Sequence, residues 1–422
     1  MPFAPKGFFM KQQLLLHNIK GLWLPPQSSK GPVSGQNLNN SNVLEDAWLL
    51  VKDGRIDSFG KMENPPETDE NASIQDCSGR FVLPSFCDAH SHLVFAAWRE
   101  NEMDMRLSGK SYLEIAAEGG GILNSAKRLQ ACSENELFDA AYHRLTELIR
   151  LGTGALEIKS GYGLSLEAEL KMLRVISRLK EISPIPLKAT FLGAHTIPKS
   201  FTNREDYIDL VCNEMIPAVA AENLADYCDV FCDQGFFTET ETIKILETGL
   251  KFGMLPKVHA NELARSGGVQ AAVKVGAVSA DHLECMDSEE INLLASSNVM
   301  PVLLPGTAFF LGIHPPDARR MIDAGLPLAL ASDYNPGTCP SGNMEFVLSM
   351  AATMLKMQVN ESLNAATVNG AIAMGLEDKA GKIEAGKPAN LLLSKQIPSL
   401  SFIPYHFGQT SLEKVMVNGE FL

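Results

Sequence analysis

Five of the nine histidines in this 422-residue chain fall where a short apolar run ends. The stretch "LPSFCDAHSHLVF", Leu83 to Phe95, holds two of them, His90 and His92, one residue apart. Alternate residues of a strand point the same way, so both imidazoles can face one side. His195, His259 and His282 close the runs "IPLKATFLGAH", "LPKVH" and "AVSADH", and Asp333 follows "LPLALAS". Imidazole nitrogens with a carboxylate oxygen suit zinc or ferrous iron. His90, His92, His259 and Asp333 would hold one divalent ion and leave room for water. Such an ion pulls the pKa of water toward neutrality, but a base must still take the proton. Glu262, three residues past His259 in "HANE", is placed for that shuttle. His282 and Asp333 would orient the water and polarise an attacked carbonyl. One histidine at a strand end is ordinarily a packed core residue; five on one rim are not.

The elements that must position these groups alternate regularly. Between Gly79 and Gly337 eight β-rich runs, among them "GTGALEIKSGYG", "YCDVFCDQGFF" and "VMPVLLPG", are separated by helix-period segments. Leu137, Ala141, Leu145 and Leu148 recur at helical spacing, as do Leu166, Leu170, Leu173 and Ile176. Apolar strands alternating with amphipathic helices imply parallel strands buried on both faces. Eight such units, with no G-x-G-x-x-G after the first, predict an α/β fold of the (β/α)8 TIM-barrel type. Its catalytic groups belong at the C-terminal strand ends, where the histidines stand. The flanks read as β structure: a hairpin around Lys52–Arg55 in "DAWLLVKDGRIDSFG", and short strands in "GKPANLLLSK" and "EKVMVNGEFL". Residues 1–80 and 376–422 are expected to form one small β domain beside a barrel at 81–375. Within it, Gln27 to Asn42 is expected as a mobile loop.

Composition narrows the function. Hydrophobic content of 45% and charged content of 20% fit a globular protein with a large core. A net charge of −14 argues against nucleic acid or an anionic membrane as the main partner. No apolar run reaches the roughly 18–20 residues that span a bilayer. The start "MPFAPKGFFMKQQLLL" has no small-residue cleavage site, and either Met1 or Met10 can be the initiator. The eight cysteines are scattered, and Cys228 with Cys232 has no second pair to complete a zinc site. A reducing cytoplasm is the expected location.

The order H-x-H, His, His, Asp along the barrel resembles the amidohydrolase superfamily. Further motifs sharpen this: "DAHSHLVFAAWRENEM", "SYLEIAAEGGGI", "EIKSGYGL", "FLGAHTIP", "HANE", "VSADHLE", "LLPGTAFFLG", "ASDYNPGTCP" and "IPYHFG". Together they resemble the imidazolonepropionase family over nearly the whole chain. The resemblance implies hydrolysis of 4-imidazolone-5-propanoate to N-formimidoyl-L-glutamate in histidine degradation, by a homodimer. It assigns the metal to His90, His92, His259 and Asp333. It assigns substrate contacts to Arg99, Tyr162, His195, Glu262, Asn335, Gly337 and Thr338. A propionate tail suits Arg99, since an arginine binds a carboxylate through two parallel hydrogen bonds. Many two-metal relatives end strand four with a carboxylated lysine; "YCDVFCDQG" has none, so one metal is expected. Lys159 in "EIKSGYG" is left to local structure or the substrate pocket. Gly119–Gly121 reads as an active-site turn rather than a phosphate loop, and His314 as a surface residue. Two other readings compete. A deaminase of a nitrogen heterocycle would share the metal, Glu262 and His282 without needing a carboxylate anchor. A metal-stabilised barrel without activity would lack Glu262 or a ligand.

Overall fold

The computed structural model describes residues 13–26, 31–110, 114–115 and 118–422. The alternative start at Met10 and part of "SYLEIAAEGGGI" lie outside them. The first described elements are β1 (Gln13–Leu24), β2 (Asn42–Lys52), β3 (Arg55–Lys61), β4 (Ser73–Asp76) and β5 (Arg80–Pro84). β1, β2 and β3 form an antiparallel meander, and the turn after Lys52 is the expected hairpin.

Eight parallel strands follow: β6 (Phe86–Asp88), β7 (Thr153–Lys159), β8 (Leu187–Ala194), β9 (Tyr227–Cys232), β10 (Leu255–Ala260), β11 (Ser279–His282), β12 (Met300–Leu303) and β13 (Ala329–Leu330). Each pairs with its neighbour in sequence order. The barrel closes just past β6 and β13, where the amide of Asp333 donates to His90 O (3.0 Å) and that of His92 to Tyr334 O (2.8 Å). Closure is thus made by the backbone of the site residues themselves. The helices wrap outside with sound local reasons to start. Glu134–Arg150 begins at a Ser133–Glu136 capping box and buries Leu137, Ala141, Leu145 and Leu148.

The last strands, β14 (Leu391–Gln396), β15 (Leu412–Val417) and β16 (Glu420–Phe421), return to β5 and complete one mixed sheet from both termini. Strand alternation divides its faces. Val82, Leu391 and Leu393 join Leu16, Ile19 and Leu22 in a separate small core, whereas Leu83 and Leu392 join the barrel core. The sheet is therefore bolted to the barrel through Phe81 and Leu83 of β5 and Leu392 of β14. All eight cysteines are free, and no described helix is long and apolar enough to cross a membrane.

The polar segment expected as a mobile loop behaves differently in its described part. Val33 and Leu38 are buried, and Gly35–Asn39 forms a 3-10 turn. The fully buried Asn369 accepts from Val33 N (2.9 Å) and donates to Val33 O (2.8 Å) and Leu328 O (2.7 Å). Two apolar side chains and one asparagine thus pin this segment beside the last barrel strand. Removing Asn369 strands buried backbone groups on both sides. Asn369→Ala is expected to cost about 2–3 kcal/mol of stability, read from a urea unfolding midpoint.

Candidate active site

Three imidazoles converge at the C-terminal mouth of the barrel. The ligand atoms of His90, His92 and His259 lie within 4.8 Å of one another. Their Nε2 atoms point inward, that of His259 lying 3.4 Å from that of His92. Asp333 Oδ1 stands 3.5 Å from His90 Nε2 and 3.6 Å from His92 Nε2. Tetrahedral zinc with bonds of about 2.0–2.1 Å places neighbouring ligand atoms roughly 3.3–3.4 Å apart. The observed separations fit one such ion. His90 Nε2 is also buried with no hydrogen-bond partner among the described residues, as a ligand atom awaiting its metal would be. Burial, with Lys159 beside His90 and His195 beside His92, holds both imidazoles well below their usual range. They are neutral, with lone pairs free to coordinate.

Two of the three outward nitrogens face a buried ionic layer. His90 Nδ1 lies 2.6 Å from Asp281 Oδ2, and His259 Nδ1 lies 3.0 Å from Asp229 Oδ2. Lys159 bridges these two carboxylates: its Nζ is 2.8 Å from Asp229 and 3.4 Å from Asp281, with Glu157 at 2.7 Å. Lys257 binds the other oxygen of Glu157. All five side chains are fully buried. Lys159 therefore serves local structure, and its ammonium is saturated by carboxylates.

Across the mouth, Glu262 Oε2 faces His282 Nε2 at 3.7 Å, while Glu284 lies 3.7 Å from His282 Nδ1. Burial raises the Glu262 carboxyl. Burial also opposes charge on His282, but Glu262 and Glu284 outweigh it and hold that imidazole above its ordinary range. Asp333 is fixed from behind by the hydroxyl of Thr307, which donates to its Oδ2. His282, Leu283 and Asp333 all have positive φ, at 80°, 66° and 52°. Such conformations are rare outside glycine and cluster at functional sites.

The opposite end of the same pocket is built around Arg99. This residue is 5% exposed, and its Nε and Nη2 have no hydrogen-bond partner among the described residues. A Cβ on Gly337 would overlap the guanidinium, so only glycine admits Arg99 there. Glu102 lies against it and accepts from the amide of Gly121, at the end of the glycine run. Tyr162, His195, Asn335 and Thr338 line the pocket. Burial pushes the His195 imidazole down to about 3. Its Nδ1 donates to Gly161 O (3.0 Å), which leaves Nε2 as an acceptor. The Asn335 side chain is largely consumed by its own turn, bonding Gly337 N, Thr338 N and Asp333 O. Gly337 shapes the wall behind Arg99, and His314 is exposed.

Asp229, Asp281, Thr307 and Glu102 were not singled out from sequence. The signal for the first two was present: a charged residue inside an otherwise apolar strand needs a buried partner. Lys159 on β7 supplies it for both, while Glu157, two residues before it on the same side, adds a further carboxylate to the ammonium. Thr307 and Glu102 had no such signal. Lys159→Met leaves buried carboxylates without their counter-charge. Its metal-free form is expected to lose about 3–5 kcal/mol of stability, measured by denaturant unfolding.

Residues 238–422 match the amidohydrolase family. The solved guanine deaminase of E. coli shares the fold, with a TM-score of 0.74 at 14% identity, 97% of this chain and 98% of that one being covered. Imidazolonepropionase of Flavobacterium johnsoniae is 50% identical, covering 97% of this chain and 99% of the relative. That of Christiangramia forsetii is 48% identical, with 97% and 100% covered. On this likeness along nearly its whole length, the chain belongs to the imidazolonepropionase family.

Proposed function

We propose that the chain hydrolyses the cyclic amide of 4-imidazolone-5-propanoate to N-formimidoyl-L-glutamate, a step of histidine degradation. The observation that carries this reading is the open, buried edge of Arg99 on the wall of the pocket that His92, His259 and Asp333 also line. A ring with a propionate tail spans those two ends, tail to Arg99 and carbonyl to the histidines. The 41% identity to imidazolonepropionase of Thermoanaerobacter pseudethanolicus, as well as the nearer relatives, supports the same substrate.

His90, His92, His259 and Asp333 would hold one divalent ion, zinc or iron. When bound, that ion supplies Lewis acidity, bringing water within reach of a carboxylate base. Glu262 takes the proton as the water oxygen bonds the ring carbonyl carbon. His282, held protonated beside it, donates to the carbonyl oxygen as negative charge develops there. Asp333 orients the water. The ring C–N bond then breaks and Glu262 returns the proton to the leaving nitrogen. Tyr162 and His195 hold the ring, the acceptor Nε2 of His195 suiting a ring N–H. Asn335, Gly337 and Thr338 form the tail wall, Gly337 by leaving room for Arg99.

A single ion is supported by Lys159, whose ammonium is already bound to carboxylates, and by the one histidine cluster among the described residues. The reading extends to a cytoplasmic homodimer on family likeness, and eight free thiols suit a reducing compartment.

Glu262→Gln is expected to lower turnover by roughly 10²–10⁴-fold with metal content unchanged; near-normal turnover would remove the shuttle role. Arg99→Met should cost about 2–3 kcal/mol of substrate binding, seen as a raised KM. Adding zinc or ferrous iron to stripped protein should raise its melting temperature with a stoichiometry of about one, and His259→Ala should abolish the rise.

A further inference from the structure

Glu102 is ion-paired with Arg99 without a hydrogen bond to it. Its Oε1 accepts the Gly121 amide at 2.8 Å, which fixes the carboxylate against the helix Gly121–Ala131. Its Oε2 stops 3.3 Å from Arg99 Nε. Among the described residues neither Oε2 nor Arg99 Nε and Nη2 makes a hydrogen bond, although both side chains are buried. Nε and Nη2 carry the parallel N–H groups of one guanidinium edge, the edge that grips a carboxylate with two bonds. A clamp would use that edge; Glu102 leaves it open. Arg99 is held instead by its own backbone, whose amide donates to Pro336 O (3.2 Å), and by the space Gly337 leaves. What Glu102 supplies is charge.

We propose that Glu102 is a specificity-determining residue, an internal counter-ion that trims the positive potential at the tail end of the pocket. The inference rests on the reading of Arg99 as the tail anchor. With bulk attraction reduced, the fork geometry selects a planar carboxylate. Small molecules bearing phosphate carry two charges and would gain twice the electrostatic energy from an uncompensated arginine. Glu102 therefore suppresses them more than it suppresses the substrate.

This predicts an effect that scales with ligand charge. Three unreactive ligands share an imidazole ring and a two-carbon arm, ended by a carboxamide, a carboxylate or a phosphonate. Their dissociation constants are measured by calorimetry at pH 8.5 on the metal-loaded wild type, Glu102→Gln and Glu102→Asp. For Glu102→Gln the carboxamide should be unchanged, the carboxylate about tenfold tighter and the phosphonate about a hundredfold tighter. Glu102→Asp keeps the charge and should keep the wild-type ratios. Should Glu102→Gln not fold, Glu102→Met serves with the same expected scaling. Weaker or unchanged binding of both anions in the neutral variant would overturn the proposal, as would an Asp variant that shifts the ratios equally. If the wild type does not prefer carboxylate over carboxamide, the tail-anchor reading itself falls. If it does, and the shifts do not follow charge, only the role of Glu102 falls.

Discussion

The site depends on one buried ammonium. Lys159 ties Asp229 and Asp281 together from the inner face of β7, and those carboxylates set the outward nitrogens of His259 and His90. A ligating imidazole is fixed in tautomer and orientation by whatever its second nitrogen touches. Here two of the three histidines receive that instruction from acids that share a single lysine. The arrangement explains why a barrel core tolerates charge at all. Each ion is fully buried, and unpaired ions at that depth would cost several kcal/mol each.

The charge count of this layer has a chemical consequence. Glu157, Asp229 and Asp281 face only Lys159 and Lys257, so one negative charge is left beneath the histidines. Asp333 adds another at their rim. Three imidazoles between two such charges make a setting suited to a cation.

Much of this was legible in the sequence, and the remainder had definite physical reasons to be hidden. Parallel strands buried on both faces read as continuous apolar runs, so the barrel was visible, as was the convergence of His90, His92 and His259. The mixed sheet from both termini was visible because each flank carries strand and turn signals. Asp229 and Asp281 were present in quoted runs but unassigned, because their meaning lies in contacts between strands far apart in sequence. The segment around Leu38 looked like a free loop because it is polar. Two buried apolar side chains and Asn369, more than three hundred residues away, decide otherwise. The turn at Asn335 lines the pocket, and the hydrogen bonds of its side chain to its own backbone, which hold it there, carry no sequence signal.

The two ends of the pocket are built on different principles. At the chemical end, positions are over-determined: His90 and His259 are braced by acids, Asp333 by Thr307, and His282 stands on a left-handed backbone. Barrel closure through the amides of His92 and Asp333 adds to this rigidity, since moving a ligand would open the barrel. At the tail end Arg99 keeps an unspent donor edge and Glu102 an unspent oxygen, both buried. The unmet donors of Arg99 cost stability in the free protein, and an arriving carboxylate can accept from them, while the Glu102 oxygen stays behind as counter-charge. The free protein thus carries an energetic deficit that a tail of matching shape removes. That deficit is confined to the Arg99 end, while the histidine end is braced on every side.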